Sequence, residues 1–164
     1  PNLMVLGATV HLVGPEGERS LPICEFFQLD GITRNVLREG EMVVKVTLPD
    51  DVGQWSGEYQ KLRLRESWDF PEAGVAAAWR LASDGSLAEL KVATTALESI
   101  PRLHDQEVAP VIAAGWKGEE SITALAKAIQ LTVKPVNNTA FPPNYRKKMA
   151  RVMCERALGQ LSKE

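Results

Sequence analysis

The sequence predicts an α+β fold: an antiparallel β-sheet packed on one side by C-terminal helices. Three observations lead there. Strand-like alternation dominates residues 8 to 97, helical spacing dominates residues 119 to 161, and no alternation of strand and helix links the two stretches. With 164 residues, 45% of them apolar, the chain can close one ordinary domain or two small ones around a packed core.

Ala8 to Val13 alternates apolar and polar residues, Gly14-Pro15-Glu16-Gly17-Glu18 is dense in turn formers, and Arg19 to Leu21 is extended again. That pattern predicts a hairpin. After the apolar patch Ile23 to Phe27, the segment Asp30 to Gly40 has no clean period and reads as a loop. Glu41 to Leu48, EMVVKVTL, is a strand that places Met42, Val44, Val46 and Leu48 on one face and Val43, Lys45 and Thr47 on the other. Pro49 to Gly53 ends it. The next strand, EYQKLRLRESWDF from Glu58 to Phe70, carries Tyr59, Lys61, Arg63 and Arg65 at alternate positions, with Leu62 and Leu64 between them. Val75 to Leu81 and Leu87 to Leu97 then flank Ser83-Asp84-Gly85-Ser86, whose Asp-Gly pair suits a hairpin turn.

Beyond Leu97 the period changes. Val108 to Ala114 predicts a short helix with Pro110 in its first turn, where the missing N–H costs nothing. Glu119-Glu120 opens a second helix, with Ile122, Leu125, Ala126, Ile129 and Val133 at helical spacing until Lys134-Pro135 stops it. In the last helix Asn144 is the expected cap. Tyr145, Met149, Val152, Met153, Leu158 and Leu161 form its apolar stripe, and Arg146, Lys147, Arg151 and Glu155 face elsewhere.

Charge and motif content exclude several function classes. A net charge of −2 supplies no general basic field, so neither nucleic acid nor an anionic membrane surface is an expected partner. No apolar run reaches the length of a membrane span and no signal peptide opens the chain, which predicts a cytoplasmic protein. Because Pro1 begins the numbering and Met4-Val5-Leu6 already looks like the inside of an element, the chain reads as a piece of a longer one. Cys24 and Cys154 are isolated thiols, His11 and His104 lie in different elements, and no phosphate-binding glycine motif or metal-ligand spacing occurs. No catalytic residue and no metal ligand is therefore expected.

The alternating cations are the exception. A sheet face normally mixes charges, so Lys61, Arg63 and Arg65 call for something anionic against them. Two readings stay open: salt bridges to Glu58, Glu66 or Asp69, or a bound cofactor or partner subunit.

Taken in order, EMVVKVTLP, YQKLRLRESWDFPEAGVAAAW, VATTALESIPRL and NYRKKMARVMCERAL resemble the C-terminal part of the FAD-binding subunit of the molybdenum hydroxylases. This is the xanthine dehydrogenase family, which includes the medium subunit of aerobic carbon monoxide dehydrogenase. The resemblance runs from about Met4 to Leu158, and its strongest members are the Lys-x-Arg-x-Arg strand and the Tyr145-Arg146 pair. It implies residues 1–51 as the incomplete tail of an FAD-binding domain and residues 52–164 as the C-terminal domain of the flavoprotein. It also implies a subunit that passes electrons from iron–sulfur clusters to FAD and on to an acceptor. The main FAD-binding loops of the family lie outside this sequence. Molybdopterin and 2Fe-2S clusters belong to partners, a molybdopterin-containing large subunit and an iron–sulfur small subunit. Carried over by position, the resemblance assigns Val43 as an aliphatic contact along the flavin and Lys61 as a cation near its ring. The alternative is a non-catalytic docking module that touches no cofactor.

Overall fold

The alternating segments fold into two antiparallel sheets in a computed structural model that describes residues 1–30, 32–66 and 68–161. The first sheet holds β1 (Thr9–Gly14), β2 (Gly17–Pro22) and β3 (Met42–Thr47) in the order β2-β1-β3. The second holds β4 (Ser56–Leu62), β5 (Ala73–Leu81), β6 (Leu87–Thr95) and β7 (Arg102–Leu103), each beside its neighbour in sequence. A 3₁₀ turn, Asp50–Gln54, lies between the sheets in sequence. Two short helices, α1 (Asn2–Val5) and α2 (Ile23–Phe26), accompany the first sheet. Three longer ones follow the second: α3 (Asp105–Ala113), α4 (Glu119–Thr132) and α5 (Pro143–Leu158).

Strand periodicity sends Ala73, Val75, Ala77 and Trp79 of β5 to one face and Gly74, Ala76 and Ala78 to the other. The first set packs with Leu90 and Val92 of β6 against Leu125 and Ile129 of α4 and Met153 and Leu158 of α5. This is the expected layer of C-terminal helices. The second set, with Ala93, meets Met4 and Val5 of α1, Val10 and Leu12 of β1, and Ile23 of α2. Burial on both faces explains why the start of β5 reads as an unbroken apolar run. Each large aliphatic side chain so buried contributes about 1.5–3 kcal/mol.

The β5–β6 hairpin turns as its sequence predicts. Gly85 has φ +82°, and the Asp84 carboxylate accepts from the backbone N–H of Ser86 at 2.9 Å and from its hydroxyl at 2.6 Å.

Two helix starts differ from expectation. His104 occupies the N-cap of α3, which places Pro110 beyond the first turn and inside the helix. Pro142, not Asn144, is the N-cap of α5, with Pro143 at the first helical position, where a fixed φ and a missing N–H are best tolerated. The buried stripe of α5 is Arg146, Ala150, Met153, Cys154, Ala157 and Leu158, while Tyr145 faces solvent.

Candidate functional site

β4 is an edge strand, and only two members of the alternating set belong to it. Tyr59 stands opposite Ala76 and Lys61 opposite Gly74. Tyr59 is half-buried against the α1 side of the sheet, and burial raises the pKa of its phenol. Its ring lies over Gly74, where an added Cβ would come within 2.7 Å of the Tyr59 oxygen and 2.8 Å of Thr95 Cγ2. Glycine at that position lets an aromatic ring cover the strand.

The strand ends at Leu62, so Arg63 and Arg65 do not continue the cationic row; they belong to the loop that leads into β5. The cause is local. Leu62 makes its last ladder contact with Ala73, Pro71 has no N–H to donate, and Asp69 gathers the loop onto itself. One Asp69 oxygen accepts from the Arg65 backbone N–H at 3.0 Å. The other accepts from the Arg65 guanidinium at 2.9 Å and from the Phe70 N–H at 2.9 Å. The Arg65 guanidinium hydrogen bond, first among these, holds the Asp69 carboxyl well below the usual carboxylate range. Lys61 Nζ donates to the Asp69 carbonyl oxygen. Leu64, Trp68 and Phe70 are left in solvent, the two aromatic residues 93% and 85% exposed. Of the two readings the sequence left open, the salt bridge to Asp69 holds for Arg65.

Val43 lies on the other sheet. In the β1–β3 register His11 faces Lys45 and Leu12 faces Val43, so Val44 is an extra residue at a bulge. The bulge turns Val43 onto the face of Leu12 and Val10, together with Val46, and away from Lys45 and Thr47. This corrects the strict alternation expected for the strand. On the opposite face His11 Nε2 lies 2.8 Å from Thr47 Oγ1. Val43 is 42% exposed, and no hydrogen bond among the described residues joins β3 to Lys61.

Two clefts flank Tyr59. One, of about 370 Å³, runs from Asn2 and Val5 of α1 past Trp55 to Glu58 and Ala76–Ala78. The other, of about 390 Å³, is lined by Leu3, Met4, Ile23, Phe27, Tyr59 and Pro101. Lys61 lines neither. Trp55 forms a wall of the first, with Lys91 Nζ 4.6 Å and Arg80 Cζ 5.9 Å from its ring centroid.

Among the described residues the region offers binding surface rather than paired catalytic groups. No group of three or more His, Cys, Asp and Glu residues among the described ones is placed to hold a metal ion. Burial pushes the Cys154 thiol up to about 12, which leaves it unreactive. His104 is buried between Thr94 Oγ1 at 3.0 Å and Glu107 Oε2 at 3.3 Å, a hydrogen-bonded core histidine. What remains on the surface is a lysine fixed by a backbone carbonyl, an arginine-rich loop and exposed aromatic and aliphatic side chains. That combination suits a ligand or partner that is both apolar and negatively charged. Sequence reasoning did not single out Asp69 as the organiser of the loop or Trp55 as a cleft wall. The four-residue spacing of Arg65 and Asp69 is the signal that points to the former.

Residues 1–51 match the family described as the FAD binding domain in molybdopterin dehydrogenase. The carbon monoxide dehydrogenase medium chain of Afipia carboxidovorans is 30% identical over 162 residues, 96% of this chain and 54% of that protein. Carbon monoxide dehydrogenase from Hydrogenophaga pseudoflava, in a form lacking the Mo-pyranopterin moiety, superposes with a TM-score of 0.85 at 25% identity, over 98% of this chain and 54% of the other. Quinoline 2-oxidoreductase from Pseudomonas putida 86, at 20% identity and a TM-score of 0.78 over 99% of this chain and 55% of the other, shares the fold. The chain thus spans about half the length of the relatives it matches. In sequence and in fold, it resembles the FAD-binding medium subunit of carbon monoxide dehydrogenase-type molybdenum enzymes.

Proposed function

We propose that the chain is part of the FAD-binding subunit of a molybdenum hydroxylase-type oxidoreductase in the cytoplasm. Residues 1–51 belong to the FAD-binding domain and residues 52–164 to the domain that follows it. The reading is carried by the 30% identity over 162 residues to the carbon monoxide dehydrogenase medium chain, reinforced by the family match of residues 1–51. Its partners are a molybdopterin-containing subunit and a subunit with 2Fe-2S clusters.

The residues present fit part of the cofactor. An uncovered Val43 side chain suits the apolar face of a flavin ring, and the exposed Lys61 ammonium suits its electron-rich edge. Gly115 and Gly118 lead into α4, but the acidic Glu119 and Glu120 of its first turn do not suit a pyrophosphate, and this reading assigns the main nucleotide anchors to residues outside this sequence. FAD, when bound, supplies electron transfer between the iron–sulfur clusters and an acceptor. Lys61 would supply a positive charge to the flavin, and its bond to the Asp69 carbonyl would keep that charge in one position. Val43 offers packing surface and excludes water.

The complete gene product tests this reading. It should be yellow, with a flavin absorbance band that bleaches when the reducing substrate of the assembled complex is added. A colourless complete protein that still assembles with its partners would instead identify a docking module without cofactor.

A further inference from the structure

The outer surface of the helical layer is strongly basic. Residues 123–158 hold seven Lys and Arg side chains against one acidic residue, Glu155, in a chain whose net charge is −2. Three of the cations meet in one place. Asn144, Lys147, Lys148, Arg151, Val152 and Glu155 share one stripe along α5, and with Gln130 of α4 they line a groove of about 610 Å³. The cations are engaged unequally. Lys147 Nζ donates at 3.3 Å to the carbonyl of Leu131, one of the last in α4, and Arg151 donates through Nε to Glu155 at 2.8 Å. Both terminal nitrogens of Arg151 are left without a partner among the described residues, as is the exposed Lys148. Helix stability does not account for this arrangement. Lys147 and Lys148 stand three and four residues from Arg151, where like charges repel, and no acidic residue in the first turn of α5 offsets cations near the positive end of the helix dipole. A helix shaped for stability alone would carry carboxylates there.

We infer that this groove docks a carboxylate-rich segment of a partner protein. The free fork of Arg151 matches a carboxylate in shape, and Lys148 adds a mobile point charge beside it. Val152 in the groove and Leu131, next to Gln130 and 68% exposed, add aliphatic surface, so the segment carries an aliphatic side chain among its Asp and Glu residues. Other occupants fit less well. A second copy presenting the same groove sets cation against cation, and the acidic remainder of the chain repels an extended nucleic acid. Position separates the groove from the flavoprotein core as well. α4 and α5 cover the face of β5 opposite to the one that meets α1 and the first sheet, so a domain that continues the first sheet grows on the other side. For the identity of the partner the inference rests on the proposed function, which makes it the molybdopterin-containing or the iron–sulfur subunit.

Carbodiimide coupling tests it, because the reagent joins an amine to a carboxylate only where the two are in contact. Applied to the complete gene product assembled with those two subunits and read by mass spectrometry, it should join Lys148 to an Asp or Glu of one of them. Lys148→Glu with Arg151→Gln should weaken the association at least about tenfold at low salt and less than about threefold near 1 M salt, with flavin content and thermal unfolding unchanged. Lys148→Arg, which keeps the charge, should associate as the unsubstituted protein does. Cross-links of Lys148 confined to its own subunit or to a second copy overturn the proposal, and so does unchanged association of the double variant. Flavin absorbance of the same samples separates this result from the proposed function. A colourless protein that still gives the Lys148 cross-link keeps the docking groove and loses the flavoprotein reading, and a yellow one without the cross-link does the reverse. A protein that joins neither subunit loses both.

Discussion

Arg146 sits at the start of α5 with its side chain fully buried, and its guanidinium reaches three parts of the chain at once. Nε donates to the Glu72 carbonyl at 2.7 Å, one terminal nitrogen to the Val136 carbonyl at 2.6 Å and Asn138 Oδ1 at 3.2 Å, and the other to the carbonyl of Ala96. Ala96 has φ +61°, a conformation that costs a non-glycine residue, and the bond to Arg146 helps to hold it there. Arg146→Met should therefore cost about 3–5 kcal/mol, because buried carbonyls lose their donor. Urea unfolding measures this, and a loss below about 1 kcal/mol would mean that water replaces the guanidinium. Arg146→Lys should recover little, since an ammonium lacks the planar fork that spans these acceptors. Tyr145-Arg146 was legible as a marked pair, yet helical periodicity assigned Arg146 to the solvent side. Only the surrounding carbonyls make a buried cation tolerable. Lys61 is the contrasting case, exposed and outside the core. Lys61→Ala in the complete protein should shift the flavin potential or weaken FAD retention with little change in thermal stability. Unchanged potential, retention and turnover would leave it as a cation that serves only the Asp69 loop.

Elements were legible where one local cause dominates. The Asp84-Gly85 hairpin and α4 follow their sequence signals because turn chemistry and apolar period agree there. β3 and β4 were read less well, for reasons that alternation does not contain. A bulge adds one residue at Val44 and reverses the face of Val43, and the carboxylate of Asp69 draws Arg65 out of the strand. α3 departs for a third reason. Its start at Asp105 leaves Pro110 inside a nine-residue helix, where the missing N–H forfeits one backbone bond. Packing of Val108, with partly buried Val111 and Ile112 beside it, against the main core outweighs that cost. Pro110→Ala should stabilise the protein by about 1–2 kcal/mol, the helix gain being reduced by greater freedom of the unfolded chain. In a protein of this size that is a rise in Tm of roughly 2–8 °C. A lower Tm would show that the proline ring itself packs favourably.

Across the whole molecule, stability should depend on pH in two windows of the same sign. Burial lowers the His104 pKa below its ordinary value, despite the opposing pull of Glu107, so the folded protein holds the neutral ring. Its contribution is complete above the unfolded value of about 6.5 and is lost as pH falls below it. Glu41 is held at about 2 by the Arg19 guanidinium, with Nε and Nη2 each 2.7 Å from its oxygens, and by the Arg38 backbone N–H. Its contribution is present above the usual carboxylate range and is lost as pH falls toward about 2. Denaturation midpoints should decline as pH falls below about 6.5 and again below about pH 4.5. His104→Gln should flatten the first decline only, and a midpoint that rises on acidification would contradict both assignments. At this scale the sequence by itself determined that antiparallel strands come first and the long helices last, that those helices layer over a sheet, and that metal-binding and phosphate-binding motifs are lacking. These follow from residue type and spacing, which act over one turn or one strand. Tertiary structure decided that β5 is covered on both faces, that Arg146 is a core residue and that Val43 faces with Leu12. Each depends on which distant surface comes to lie against the element, and periodicity carries no information about that.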